Sequence, residues 1–365
     1  MTNYRQELER WFQKLKTKEG YASAMAIALA FALVLGLYAF RGVIWPDRPD
    51  APDEAREEVL AFRHPLTGER RLEPMEDYPL AYAVMVDHSV DAWPQSGVNK
   101  AFLVIEAPVE AGIPRLEAFF AAGTDVGKIG PVRSARPYFV DWAQELDALY
   151  AHVGGSDAAL ELIGRTGVFD LNEFGNGAAY WRSADRFAPH NAYTSSERLA
   201  AAAKKAEDLG KAPTLLYGTW AFKDIEPEPE GAGATVDFGA TSYKADWTYD
   251  PKTGTYARRQ GGLPYQMQDG SPVAAANVAI VITQMKVVDA VGRREVKTVG
   301  EGSAMVLQDG KAVKGTWKKP SATERIRFFD ENGAEMEMNA GLTWIEVVPD
   351  AEMVSIHEPA EAPSF

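Results

Sequence analysis

The sequence predicts an α/β or α+β ectodomain followed by a mainly β domain, with one N-terminal transmembrane helix ahead of both. Three observations carry that expectation. Tyr21 to Phe40 is a twenty-residue stretch without a charge. Residues 63–214 alternate short apolar runs with helical stripes, the pattern of strands interleaved with helices. Residues 233–350 carry strand-like runs punctuated by turn signals.

The apolar run has the roughly 20 residues an α-helix needs to cross about 30 Å of hydrocarbon. Arg5, Arg10, Lys14, Lys16 and Lys18 precede it, whereas the near C-terminal flank offers only Arg41 and Arg48. Basic flanks stay in the cytoplasm, so residues 1–20 are expected there and the later domains outside. A cleaved signal peptide would carry an apolar core of about 7 to 15 residues and a small-x-small site. Leu37-Tyr38-Ala39-Phe40-Arg41 stands there instead, so residues 21–40 read as a retained signal anchor. Residues 41–62, rich in Pro and charge, read as an extended linker.

In residues 63–214, strands are expected at Ala81 to Val86, Ala101 to Ile105, Leu116 to Ala121 and Leu149 to Val153. Pro137 to Leu149 places Tyr138, Phe139, Trp142, Leu146 and Leu149 on one helical stripe, with Pro137 suited to the first turn. Glu197 to Ala212 reads as an Ala- and Lys-rich helix, and the Pro/Gly-rich run EPEPEGAGA supports a hinge over 215–232. Strands follow at Tyr243 to Tyr249, Val278 to Thr283, Val306 to Gln308 and Thr343 to Val348. Turn signals lie at Asp250 to Gly254, Asp309-Gly310 and Glu331-Asn332-Gly333, and residues 351–365 read as a tail.

Composition narrows the function. With 38 basic and 52 acidic residues the net charge is −14, which excludes non-specific binding of nucleic acid. The absence of cysteine removes disulfides, thiolate metal sites, Cys nucleophiles and lipid attachment through Cys. No His-Glu-x-x-His or Ser-x-x-Lys motif occurs, and Gly154-Gly155-Ser156-Asp157-Ala158 lacks the second Gly of a nucleophile elbow. Gly123 to Ile129 falls one residue short of a phosphate loop. His88, His152 and His190 lack the spacing of a local ligand pair, so neither a metal nor a cofactor is expected.

Lys128, Arg133, Ser134 and Arg136 cluster immediately before the helix expected at Pro137. Two guanidinium forks beside unpaired helix N–H groups suit an oxyanion; the alternative is that both arginines pair with carboxylates of their own domain. His152 ends a predicted strand ahead of Gly154-Gly155, and Glu173, His190 and Asn191 lie in loop-like sequence where functional groups concentrate.

For acid–base work the candidates are Asp87 and Glu106, each at the end of a predicted strand. On parallel neighbouring strands they would share one rim, at the roughly 5 to 9 Å separation that suits glycosidic chemistry; on antiparallel strands they part. The alternatives are a turn-initiating role for Asp87 and an arginine partnership for Glu106. Trp93, Trp142 and Trp181 offer ring faces to a sugar, although the stripe position of Trp142 favours the core.

Taken together, several motifs resemble the YerB-like family. They are Val86-Asp87, Pro94-Gln95-Ser96-Gly97, Glu106-Ala107-Pro108-Val109-Glu110-Ala111-Gly112, Lys128 to Tyr138, His152 to Ser156, Asn172-Glu173-Phe174 and Pro189-His190-Asn191, and the likeness spans Pro65 to Pro349. Members are read as lipoproteins of mostly Gram-positive bacteria, with two domains of unknown function. The chain departs from the family in having a membrane helix in place of a lipid-modified Cys, and His rather than Asn at position 88. The resemblance implies an envelope location and a two-domain ectodomain, and names no reaction.

The expectation is therefore a single-pass membrane protein with extracytoplasmic domains that binds an anionic cell-wall polymer or peptidoglycan through Arg133, Arg136 and the helix start. An enzymatic version adds Glu106 as proton donor and Asp87 as stabilising carboxylate in wall-glycan cleavage. A non-enzymatic scaffold or accessory subunit for a membrane partner is the alternative.

Overall fold

The computed structural model describes residues 7, 9–13, 16–39, 62–75, 77–210 and 214–358. The chain divides into two units, Met1–Leu60 and Ala61–Phe365. In the first, the apolar run forms a 22-residue helix, α1 (Lys18–Ala39). Ala and Leu, strong helix formers, supply much of it, and Met25, Leu29, Phe31, Leu33 and Val34 are exposed. Among the described residues no helix is long and apolar enough to cross a membrane, so the expected transmembrane segment over 21–40 is present as a helix without being established as a span. Phe40, residues 41–61 of the expected linker and residues 359–365 of the expected tail lie outside the described residues.

The second unit is mostly β with few helices. Its first half contributes β1 (Ala81–Asp87), β2 (Leu103–Pro108), β3 (Pro114–Ala121), α2 (Pro137–Gln144), β4 (Leu149–His152), α3 (Asp157–Thr166), β5 (Phe169–Asn172) and α4 (Ser196–Asp208). Its second half contributes β6 (Gly233–Asp237), β7 (Lys244–Asp250), β8 (Thr255–Gln260), β9 (Asn277–Ile282), β10 (Gly300–Gln308), β11 (Lys311–Lys319), β12 (Arg327–Asp330), β13 (Thr343–Val348) and β14 (Val354–His357). Short two- and three-residue ladders complete the set.

Ten strands form one sheet in the order β12-β11-β10-β9-β13-β2-β3-β1-β4-β5. A second, six-stranded sheet contains β8, β7, β6 and β14. The two halves of the sequence meet inside the large sheet, where β13 runs parallel to β2 and sets Trp344 beside Val104 and Glu346 beside Glu106. The boundary read at 215–232 is thus a break in composition across which the sheet continues. That segment is also packed down: the Tyr217 hydroxyl donates to the Pro79 carbonyl, the Trp220 indole to that of Ile326, and Phe222-Lys223 pairs with Met338-Asn339.

At its centre the large sheet is covered on both faces, which is why all seven residues of β1 are buried, while β11 near one end is mostly exposed or half-buried. Alternate side chains enter different cores. Val84 and Val86 join Trp247, Tyr265 and Trp344 on the side of the small sheet, whereas Ala83 and Met85 join Phe139, Trp142 and Trp317 on the other. Helix α2, eight residues long, is too short to persist alone and gains its stability by burying Tyr138, Phe139, Val140 and Trp142. Full burial of such a side chain contributes about 1.5 to 3 kcal/mol. Trp142 therefore serves the core.

The hairpin of β10 and β11 turns on Asp309 (φ 51°) and Gly310 (φ 77°), the two positive φ values that a tight two-residue turn requires. Two expectations need correction, and one strand had no signal in the sequence: Phe169–Asn172 forms the edge strand β5, paired with β4. Part of the expected tail is strand β14, which pairs with β6. Helix α2 stops at Gln144, five residues earlier than its stripe indicated.

Candidate functional site

Strands β1, β4 and β5 are mutually parallel, so their C-terminal ends share one rim, the usual place for a site in such sheets. Asp87 closes β1 there and is buried, although the chain around it reaches the surface. Its Oδ1 accepts the Ser89 amide (3.0 Å) and the Ser89 hydroxyl (2.9 Å). Its Oδ2 accepts from His190 Nδ1 (2.7 Å) and lies 2.9 Å from Arg133 Nε, at an angle that makes the latter a contact between charges. Burial alone would raise the Asp87 carboxyl, but Arg133, the Ser89 amide, Arg115 and His190 together outweigh it and hold it below the ordinary range.

An ionised Asp87 fixes the imidazole. With Nδ1–H turned to the carboxylate, Nε2 is the outward nitrogen, and no partner for it exists among the described residues. The His190 and Arg133 side chains are 20% and 25% exposed, against 3% for Asp87. Their free ends therefore look outward from one shared oxygen. A Ser-His-Asp triad is not present, because the Ser89 hydroxyl meets Nδ1 (3.2 Å), the nitrogen already committed to Asp87.

Beside this trio, Arg182 links Glu173 (2.9 Å) to the side-chain oxygen of Asn191 (3.1 Å). Glu173 follows β5, and its amide donates to the His152 carbonyl, which ties the pair to the rim. The remaining expected ligand residues are engaged elsewhere. Arg136 grips Glu110 through two hydrogen bonds (2.6 and 2.7 Å), so the ion-pair alternative holds for it. Lys128 donates to Gln268 (2.7 Å) and sits over the Tyr193 ring. Ser134 gives its carbonyl to Arg115 (2.8 Å), and buried His152 lies between the Gly154 carbonyl (2.7 Å) and Asp170 (2.8 Å). The three histidines thus have separate partners.

Glu106 does not join Asp87. Strand β3 is antiparallel to both β1 and β2, so those two run parallel without being neighbours; Glu106 stands nearly level with Asp87 across β3, but its side chain takes the opposite face of the sheet. Glu106 instead faces the small sheet, fully buried, beside its cross-strand neighbour Glu346. Arg258 of β8 reaches between them, 2.8 Å from Glu106 and 2.7 Å from Glu346, among the rings of Trp247, Tyr265 and Trp344. The Trp344 indole donates to Glu106 (3.0 Å), and His88 Nε2 lies 3.5 Å away. Burial pushes the Glu106 carboxyl up to about 8 against the pull of Arg258, and burial with the Arg258 charge pushes His88 down to about 3. A carboxyl sealed in this way cannot hand a proton to a bound glycan.

Sequence reasoning missed Arg258, Gln260 and Tyr265. The signal was present in β8, where Tyr256, Arg258 and Gln260 alternate inward against outward Ala257 and Arg259. A recess of about 750 Å³ between α4 and β5, floored by Phe169, Leu171 and Ala202, holds none of the converging trio.

Known proteins place the chain. Residues 66–209 match the N-terminal domain, and residues 234–345 the C-terminal domain, of the family described as "Protein of unknown function (DUF3048)". The Bacillus subtilis (strain 168) protein named "Putative lipoprotein YerB" is 32% identical over 312 residues, 84% of this chain and 90% of that one. The crystal structure of the YerB protein from Bacillus subtilis superposes with a TM-score of 0.72 at 30% identity, covering 81% of this chain and all of that one. The chain belongs to the DUF3048 family, of which YerB is a relative.

Proposed function

We propose that this chain is an envelope protein, tethered by α1 with its N-terminus in the cytoplasm, whose rim binds an anionic cell-wall component through Arg133 and His190. The observation that carries this reading is the pair of outward ends: terminal guanidinium nitrogens of Arg133 and Nε2 of His190 that no side chain of the described residues consumes. A guanidinium held along one edge offers the other edge to an oxyanion. In the immediate surroundings of Asp87, one carboxylate faces two neighbouring arginines, Arg133 and Arg115, a cationic excess confined to that point of an acidic chain.

The tether rests on the sequence. The uncharged run Tyr21 to Phe40 has the roughly 20 residues that a membrane-spanning helix needs, and its basic N-terminal flank favours the cytoplasm. The name of the Bacillus relative supports a membrane-associated, outward-facing location, reached here through a helix in a chain without cysteine.

The test is sedimentation of the full-length chain, in detergent, with intact cell walls. Wild type should pellet, and Arg133→Ala should stay soluble. A wild type that fails to pellet would sink the binding reading. It would favour the scaffold reading, for which Phe174 (78% exposed) and Phe187 (93% exposed) offer bare rings.

A further inference from the structure

We propose that the Asp87–His190 pair and Arg133 form a hydrolytic centre for phosphodiesters, an inference that rests on the anionic-ligand reading of the same rim. A carboxylate would be satisfied by the guanidinium alone and would give the imidazole nothing to protonate. A phosphodiester uses both groups: its two non-bridging oxygens suit the guanidinium fork, and its bridging oxygen needs a proton when it leaves.

Other chemistries fit less well. Acyl transfer needs a nucleophile on Nε2, and the Ser89 hydroxyl is on Nδ1. Glycoside cleavage needs two carboxyl groups across an open cleft, and Glu106 is sealed between the two sheets, against Arg258 and Trp344. What remains is an outward imidazole oriented by a buried anion, with a cation at its side.

The step balances with water alone. His190 Nε2 takes a proton from water as the water oxygen bonds to phosphorus, with Arg133 holding the non-bridging oxygens. The bond from phosphorus to one alcohol oxygen then breaks, and that oxygen leaves with the proton returned from Nε2. The products are an alcohol and a phosphomonoester. His190 is the catalytic residue, Arg133 binds the phosphoryl oxygens, and Asp87 is a positioning residue that fixes the tautomer.

The experiment uses the full-length chain in detergent with bis(4-nitrophenyl) phosphate, following release of nitrophenol across pH. Binding of inorganic phosphate is followed separately through the imidazole NMR signals of His190. Wild type should turn over, His190→Ala should lose about 100-fold or more in kcat, and added imidazole should restore part of it. Asp87→Asn should lower kcat with little change in KM and should displace the pH profile; should that variant fail to fold, the surface variant His190→Ala still decides.

Phosphate binding without turnover, or turnover undiminished in His190→Ala, would overturn the hydrolytic proposal and leave the binding reading intact. Absence of phosphate binding would overturn both. Release of glycerol phosphates from poly(glycerol phosphate) would identify a polymer as the source of the diester, and headgroup release from phosphatidylglycerol vesicles would identify a lipid.

Discussion

Replacing Glu106 with Gln should flatten the pH dependence of folding stability. The unfolded chain releases the Glu106 proton near the ordinary value of 4.5, whereas the folded chain keeps it up to about 8. The folded state therefore binds the extra proton between those values, so its stability is fully present below the lower one and is lost as pH rises toward the upper. At about 1.4 kcal/mol per pH unit, the loss from pH 5 to pH 8 reaches at most about 4 kcal/mol. Coupling to Glu346 through Arg258 shares part of this, so the figure is an upper bound. Gln keeps an oxygen for the Trp344 indole and for Arg258 and carries no titrating proton. Urea titrations of both proteins at pH 5, 6, 7 and 8 should show the variant gaining on wild type at each step. Parallel stability curves would refute the sealed, protonated carboxyl.

Three further outcomes follow from packing and charge. Arg258→Met should cost about 3 to 5 kcal/mol in urea unfolding at pH 7, because it strands Glu106 and Glu346 side by side without their shared cation; a near-zero cost would contradict the bridge. Glu117→Leu should stabilise the fold, and more at pH 8 than at pH 5, since burial with Glu145 and Asp141 nearby raises that carboxyl well above its ordinary range and neither of its oxygens has a partner among the described residues. A lowered melting temperature at both pH values would refute this. Gly310→Ala should cost about 1 to 3 kcal/mol, from a φ of +77° and a new Cβ only 2.8 Å from the Glu230 carbonyl, with a chevron or equilibrium melt as the check.

Strands β1, β3 and β13 were legible because each is a mostly apolar run, a signal that survives without knowledge of partners, although Arg115, Glu117 and Glu346 are buried within two of them. Strand β5 was not: Phe-Asp-Leu-Asn at a sheet edge buries only Leu171, and its pairing with β4 exists only in three dimensions. The candidate site divides the same way. Asp87, Arg133 and His190 each stood out as residue types in suggestive local sequence, but 103 positions separate Asp87 from His190. Their meeting depends on β1 and the loop before α4 closing together. Glu106 was misplaced because the end of a strand in sequence says neither which strand lies beside it nor which face of the sheet its side chain takes relative to Asp87. Arg136 was miscast because Glu110, its partner, sits across a fold rather than along a helix.

The parallel contact of β13 with β2 has a bearing on synthesis. Strand β2 is among the early strands of the second unit to be made, yet one of its two neighbours is encoded by residues 343–348, close to the end of the chain. Until those residues emerge, Leu103-Val104-Ile105 presents an open apolar edge, the kind of surface on which nascent chains stick to one another. Folding of the large sheet therefore waits for the residues of β13, and a stop codon anywhere before Thr343 should yield no smaller folded protein, only material cleared by proteases.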